Sequence, residues 1–374
     1  MSKKSVCIVT WYKSTNCGTC LQAKALFEVI KGVSNVSILS YKRNYSLFSL
    51  TDWSLIFSKV INKIKSIITT QKEGFETSKE RQLRIDNFVL KSFDLVDLPT
   101  GNARKKLINE TDFFIVGSDQ LWNPYWFNTT YYLDFVKDSK KKKSYATSIG
   151  ISEIPKSKER KMRHLLSSFS DISVRENMAQ KVLSKLLKRS DIQVVVDPTM
   201  LLNSVEWSGI LSDNAEIDIG DEQYILCYFV GGLSTYKDII ISIAKKLNKK
   251  IIIIPMQLVD YSFPDCEFAE AGPYEFIKLI QNASYVCTDS FHAIAFSIIF
   301  HRQFTVLQRM KTLYGMSQEG RITEVLKRYG LEKNQYSVSQ EVVLNIDYDR
   351  VDKIVDKERN YSIRILYRMI GVDN

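Results

Sequence analysis

YVCTDSFHAIAFSIIF, residues 285–300, decides the fold. Tyr285, Val286 and Cys287 have the aromatic, β-branched and uncharged character of a buried strand end. Thr288, Asp289 and Ser290 are cap-type residues, and an apolar helical pattern begins at Phe291. A strand running into a helix sets Ser290 and His292 at the carboxyl edge of a sheet and at a helix N-terminus. Open α/β sheets bind ligands at that edge, and free backbone N–H groups there favour anions. His292 is one of three histidines in 374 residues. A lone histidine is as readily a satisfied structural group as a functional one. Asp289 and Ser290 beside it, at a strand-to-helix switch, favour function.

The pattern on either side repeats this unit. Downstream lie a strand at 304–307, a polar loop with Arg309 and Lys311, and a helix opened by Arg321. Upstream come strands at 224–230 and 251–254, a helix at 236–247, and a long connection at 255–272 with Asp260, Asp265 and Glu267. Pro273 opens a helix, a position that suits proline. The first half alternates in the same way. Strands are predicted at 6–10, 36–41, 112–116, 144–149, 171–174 and 193–196, with helices at 19–31, 103–110, 156–169 and 177–187. The expected fold is therefore α/β. Two Rossmann-like parallel-sheet domains, 1–203 and 204–345, face a cleft, and a last helix in 346–374 crosses back. That is a GT-B-like architecture.

Composition narrows the function classes. Hydrophobic content of 45% and charged content of 25% belong to a soluble globular chain. No uninterrupted apolar run reaches membrane-span length, and the N-terminus lacks a signal-peptide pattern. The expected location is the cytoplasm. Six cysteines, three of them in or beside apolar runs, fit buried thiols better than a disulfide framework. Cys17 and Cys20 form a lone CxxC without a second pair, so no metal is expected. A net charge of +10 implies an anionic partner, but the basic residues are scattered and carry no nucleic-acid signature. Residues 53–68, apolar and basic at helical spacing, read either as a helix on a membrane surface or as one packed on the domain. Residues 71–84 read as a polar surface segment or a lid, and the lysines at 140–143 as a solvated loop.

Three further strand ends carry candidate side chains. The loop at 11–18 leads through Asn16 into a helix; it is too poor in glycine for a dinucleotide fingerprint, so neither NAD nor FAD is expected. GSDQLWNP at 117–124 places Ser118, Asp119 and Gln120 at a strand end, with Trp122 and Asn123 offering a flat apolar face beside an amide. That pairing suits a sugar ring, or alternatively a turn with a buried tryptophan. Arg175 stands where a strand becomes a helix. It is placed either to hold a phosphate or carboxylate bidentately or to pair with Glu176 or a neighbouring carboxylate.

NCGTCLQAKAL (16–26), VGSDQLWNP (116–124), SVRE (173–176), VVDPTMLL (195–202) and TDSFHAIAFSIIF (288–300) occur in that order. Together they resemble the polysaccharide pyruvyl transferase family over nearly the whole chain. The resemblance implies a GT-B-like fold and transfer of pyruvate from phosphoenolpyruvate to sugar hydroxyls as a ketal. Phosphoenolpyruvate is then a co-substrate, and no other cofactor is implied. By position, His292 resembles the family's catalytic histidine and Arg175 its donor-binding arginine. Where better-studied members carry an arginine two residues before the histidine, this chain has Ser290. Arg302, Arg309, Lys311 and Arg321 are the candidates to replace that anion contact. Asp119 and Asp289 are candidates to orient the acceptor or the imidazole, with Asn16, Ser118, Gln120, Trp122 and Asn123 on the acceptor side. The expected partner is a glycan on a polyprenyl pyrophosphate, met at the inner face of the membrane, with peripheral membrane contact and no nucleic acid. The alternatives are a nucleotide-sugar glycosyltransferase on the same fold and a non-catalytic glycan-assembly protein.

Overall fold

The computed structural model describes residues 3–40, 78–212, 214–307, 319–337 and 345–372. The stretch 53–68, the first part of 71–84, Arg309 and Lys311 lie outside them. Strands β1 (Ser5–Val9), β2 (Asn35–Ser40), β3 (Leu95–Asp97), β4 (Phe113–Val116), β5 (Lys142–Thr147), β6 (Asp171–Val174) and β7 (Gln193–Val194) form one sheet in the order β3-β2-β1-β4-β5-β6-β7. Strands β8 (Tyr224–Tyr228), β9 (Lys250–Ile254), β10 (Glu267–Phe268), β11 (Tyr285–Thr288) and β12 (Gln303–Val306) form a second, in the order β10-β9-β8-β11-β12. Every pairing is parallel. Two Rossmann-like sheets facing a cleft make the architecture GT-B-like.

Strand order reverses between β1 and β4 in the first sheet and between β8 and β11 in the second. Loops leaving neighbouring strands diverge at such a point and leave a crevice. The four loops that follow β1, β4, β8 and β11 all contribute to one cavity between the halves. Gly117, after β4, permits the approach of β5. Its φ is 136°, and a Cβ there would lie 1.9 Å from the Tyr145 carbonyl oxygen.

The halves share an apolar core. One buried cluster runs from Val6 and Ile8 on β1 through Leu26 and Met200 to Leu226, Phe276 and Phe296. Trp207, on the helix Ser204–Ser212, is fully buried edge-on against Phe296 and donates its indole N–H to the Thr199 carbonyl. The long helix Tyr348–Met369 ties both halves together: Ser362 accepts from the Val196 N–H at 3.0 Å, and Arg328 approaches Glu358. Among the described residues, no helix is long and apolar enough to cross a membrane.

Two expectations are corrected. Residues 79–84 open a helix, Lys79–Ser92, capped by Ser78; Lys79, Glu80 and Leu83 are on the surface, but the segment is not polar surface throughout. The charged run there hides a buried Arg81, whose guanidinium donates to the Pro255 carbonyl at 2.6 Å and the Thr15 carbonyl at 2.9 Å. Lys142 and Lys143 are not a solvated loop. Both are buried in β5, where Lys143 pairs with Asp171 at 2.5 Å and Lys142 donates to Ser168 at 3.0 Å. Neighbouring partners outweigh the usual exposure of a lysine run.

Arg81 joins the loop after β1 to the loop after β9. Arg81→Ala is expected to lower stability by about 3 kcal/mol, because it strands buried carbonyls and leaves a cavity. Urea denaturation checks this; Arg81→Lys, without the planar fork, should not restore the loss.

Candidate active site

His292 stands in the first turn of the helix Phe291–Ile299, and Ser290 caps that helix by accepting from the Ala293 N–H. A second helix, Cys17–Lys31, begins opposite it, capped by Asn16, whose side chain accepts from the Gly18 N–H at 3.1 Å. The positive ends of two helix dipoles thus meet at one place. The imidazole packs directly on Gly18, where a Cβ would fall 2.1 Å from His292 Nδ1. Only glycine admits the histidine there. The surrounding cavity has a volume of about 560 Å³; Asn16, Thr19, Asp119, Gln120, Ser290, His292 and Arg321 are on its wall.

Behind His292 lies a buried charge cluster. Arg175 donates from Nη1 to Asp197 Oδ2 at 2.6 Å and from Nε to Glu176 at 2.9 Å, and its Nη2 lies 3.9 Å from Asp119. The guanidinium also sits over the Phe291 ring, 4.6 Å from its centroid. Burial works against the charge on Arg175. The carboxylates Glu176, Asp197 and Asp119 outweigh it and hold its pKa above the ordinary value. Burial likewise opposes ionisation of Asp197, but His292 and Arg175 beside it pull its pKa well below the usual carboxylate range. His292 Nε2 lies 3.7 Å from Asp197 Oδ2, an electrostatic contact too long for a hydrogen bond, and Nε2 has no hydrogen-bond partner among the described residues.

Asp119 is fixed between the halves of this arrangement. Its φ of 74° is left-handed, a region aspartate tolerates better than most residues. The carboxylate accepts from Thr19 Oγ1 at 3.0 Å and from the Gln120 N–H at 2.9 Å. The Gln120 amide satisfies either Asn123 at 3.1 Å or, turned over, the Arg321 guanidinium at 2.7 and 3.2 Å. Lys13 also lines the cavity and pairs with Asp86 at 2.6 Å.

Residues 16–309 match the family described as polysaccharide pyruvyl transferase. The chain belongs to that family. No curated protein sequence matches it. Among solved structures, it is similar to UDP-GlcNAc 2-epimerase from Methanocaldococcus jannaschii, at 14% identity and a TM-score of 0.49, covering 98% of this chain and 99% of that one. A UDP-GlcNAc 2-epimerase from Neisseria meningitidis, bound to UDP-GlcNAc, shows 10% identity, a TM-score of 0.46 and coverage of 99% and 95%. An α-glucosyltransferase in complex with UDP and a 13-mer DNA shows 10% identity and a TM-score of 0.47, covering 99% of this chain and 96% of that one.

Several residues of this polysaccharide pyruvyl transferase family member stand elsewhere than expected. Arg175 is buried against Glu176 and Asp197, the second of the two placements the sequence allowed, and it is not among the residues that line the cavity. The Asp289 carboxylate accepts from the N–H groups of Val230 and Gly231 at 2.7 and 2.8 Å and shapes the loop after β8. Trp122 offers no face to a sugar. It is fully buried, stacked on Tyr132 and edge-on to Phe169. Ser118 and Asn123 are equally buried: Ser118 donates to the Ala146 carbonyl at 2.8 Å, and Asn123 caps the turn that follows it. Arg302 is spent on the Phe300 carbonyl at 2.7 Å, whereas Arg321 reaches the cavity. Asp197, Thr19 and Gly18 went unassigned. Asp197 lies in the string VVDPTMLL, but nothing in the string says that its carboxylate meets a histidine 95 positions downstream.

The depressed pKa of Asp197 sets a pH signature. Its ionised form adds stability that is fully present above the unfolded carboxylate pKa, about 4, and is lost as pH falls towards the lower folded value. Asp197→Asn should cost about 3 kcal/mol at neutral pH by leaving Arg175 under-compensated. It should also flatten the acid limb of stability below about pH 4. Denaturant titrations at stepped pH read both effects. Gly18→Ala is expected to displace the imidazole and shift the His292 ring resonances while the other two histidines stay put.

Proposed function

We propose that the protein transfers the pyruvyl group of phosphoenolpyruvate to two hydroxyls of a sugar in a polysaccharide precursor, forming a ketal. The observation carrying this reading is the position of His292, in a chain of the pyruvyl transferase family. It sits between two helix N-termini, in a cavity whose wall also bears Lys13 and Arg321. The donor brings a phosphate and a carboxylate, and helix N-termini and cations suit both. Arg321 takes the anion contact that Ser290 does not provide.

His292, as general acid, protonates the methylene carbon of phosphoenolpyruvate. A sugar hydroxyl attacks the resulting electrophilic carbon and releases its proton. Phosphate then leaves, and a second hydroxyl closes the ketal. One hydroxyl proton replaces the one delivered to carbon, and the other leaves with phosphate. An imidazole is suited to give and take protons near neutral pH. Asp197, charged and buried, lies behind the ring, 3.7 Å from Nε2. Asp119, held by Thr19, is placed to receive an acceptor hydroxyl. The acceptor is a glycan on a polyprenyl pyrophosphate, met by a cytoplasmic protein at the inner face of the membrane.

Thermal denaturation with phosphoenolpyruvate, and in parallel with UDP, CMP and GDP, tests the donor. Phosphoenolpyruvate alone should raise the melting temperature, and Arg321→Ala should weaken that response. A rise with a nucleotide alone would replace this reading with a nucleotide-sugar glycosyltransferase. His292→Gln should keep the donor response yet lose phosphate release in the acceptor-supplied reaction by about 10²-fold or more. Undiminished release would end the general-acid role.

A further inference from the structure

The wall of the cavity opposite its charged floor is aromatic. Trp11 follows β1, and its ring lies 5.9 Å from that of Trp126, tilted by 53°, and 6.0 Å from Tyr131, edge-on. Trp11, Trp126 and Tyr131 line the same cavity as His292 and Asp119. Trp126 is 45% exposed, whereas Trp122, four residues earlier, is fully buried. Exposure alone would say little, but this tryptophan opens into the cavity that holds His292 and stands beside a second aromatic ring.

We propose that Trp11 and Trp126 form a stacking platform for a sugar ring, backed edge-on by the buried Tyr131, and that Trp122 and Asn123 are buried to hold that platform in place. Calling this sugar the acceptor rests on the pyruvyl transfer reading; the platform itself does not. A pyranose presents a face of C–H bonds ringed by hydroxyls. The C–H face meets the negative face of an aromatic ring, and the hydroxyls need polar partners at the edge. Ser14, Asn16, Lys13 and Gln120 border the same space. A purely apolar occupant would desolvate those groups without offering them any hydrogen bond in exchange for water. The aromatic residues and His292 line one cavity, so a ring stacked on the former shares the space of the latter.

The anchoring is explicit. Trp122 donates its indole N–H to the Tyr131 carbonyl at 2.8 Å. Asn123 accepts from the Tyr125 N–H at 3.0 Å, and its own carbonyl accepts from the Trp126 N–H at 3.0 Å. Trp126 and Tyr131 are therefore fixed through the backbone by residues that never touch the ligand.

Saturation-transfer NMR with methyl β-D-galactopyranoside, methyl α-D-mannopyranoside and methyl β-D-glucopyranoside tests the proposal. Ring C–H protons of at least one glycoside should receive saturation. Trp126→Ala should weaken that glycoside about tenfold, while Trp126→Phe keeps most of the binding. Asn123→Ala should weaken it too, with the circular dichroism spectrum unchanged. No signal from any glycoside, or equal signals in wild type and Trp126→Ala, would overturn the platform. So would saturation of the uracil of UDP that vanishes in Trp126→Ala while the glycosides are unaffected; the wall would then hold a base. Melting with phosphoenolpyruvate is read separately. A sugar response without a donor response keeps the platform and removes the transferase reading, and the reverse keeps the transferase reading alone.

Discussion

A carboxylate with no solvent contact links the two halves: Asp197, at the end of the first sheet, lies 2.6 Å from the Arg175 guanidinium and 3.7 Å from the imidazole of His292 in the second half. Ionising a buried carboxylate is expensive unless opposite charge is close. Arg175 supplies that charge, and Glu176 and Asp119 in turn balance Arg175. The positions of β6, of the loop after β4 and of the helix bearing His292 are therefore coupled through one charge network. Moving any of them apart exposes an unpaired charge to an apolar surround.

The network also explains why the cavity lies where it does. Parallel sheets open a crevice where strand order reverses, and here the two reversals face each other. The loops leaving β1, β4, β8 and β11 bring Asn16, Asp119, Val230 and His292 to one wall. Gly18 lets the two helix N-termini close on the imidazole. The shared apolar core through Met200 and Phe296 and the helix Tyr348–Met369 keep the halves in register.

Much of this was legible in the sequence. Alternating apolar runs and turn residues gave the two parallel sheets, and the strand-to-helix switch at 288–291 gave the setting of His292. Local patterns could not say which way a side chain points. Trp122 and Trp126 are only four positions apart, yet one is core and the other is cavity wall. Arg175 was placed correctly at a strand end, but its partners come from residues 119, 176 and 197, two of them far away in sequence. The start of the helix Lys79–Ser92 was hidden by its charge, because one of its fully buried residues, Arg81, is itself charged. Its partners are carbonyls, which no side-chain pattern reveals.

The chain contains three histidines, His164, His292 and His301, so their ring resonances can be separated by one substitution. The direct test is a ¹⁵N-histidine NMR titration with phosphoenolpyruvate, His292 being assigned by its loss in His292→Gln. The account predicts that His292 shifts and that His164 and His301 do not. A titration that leaves His292 unmoved, or that moves it equally with UDP, would contradict it.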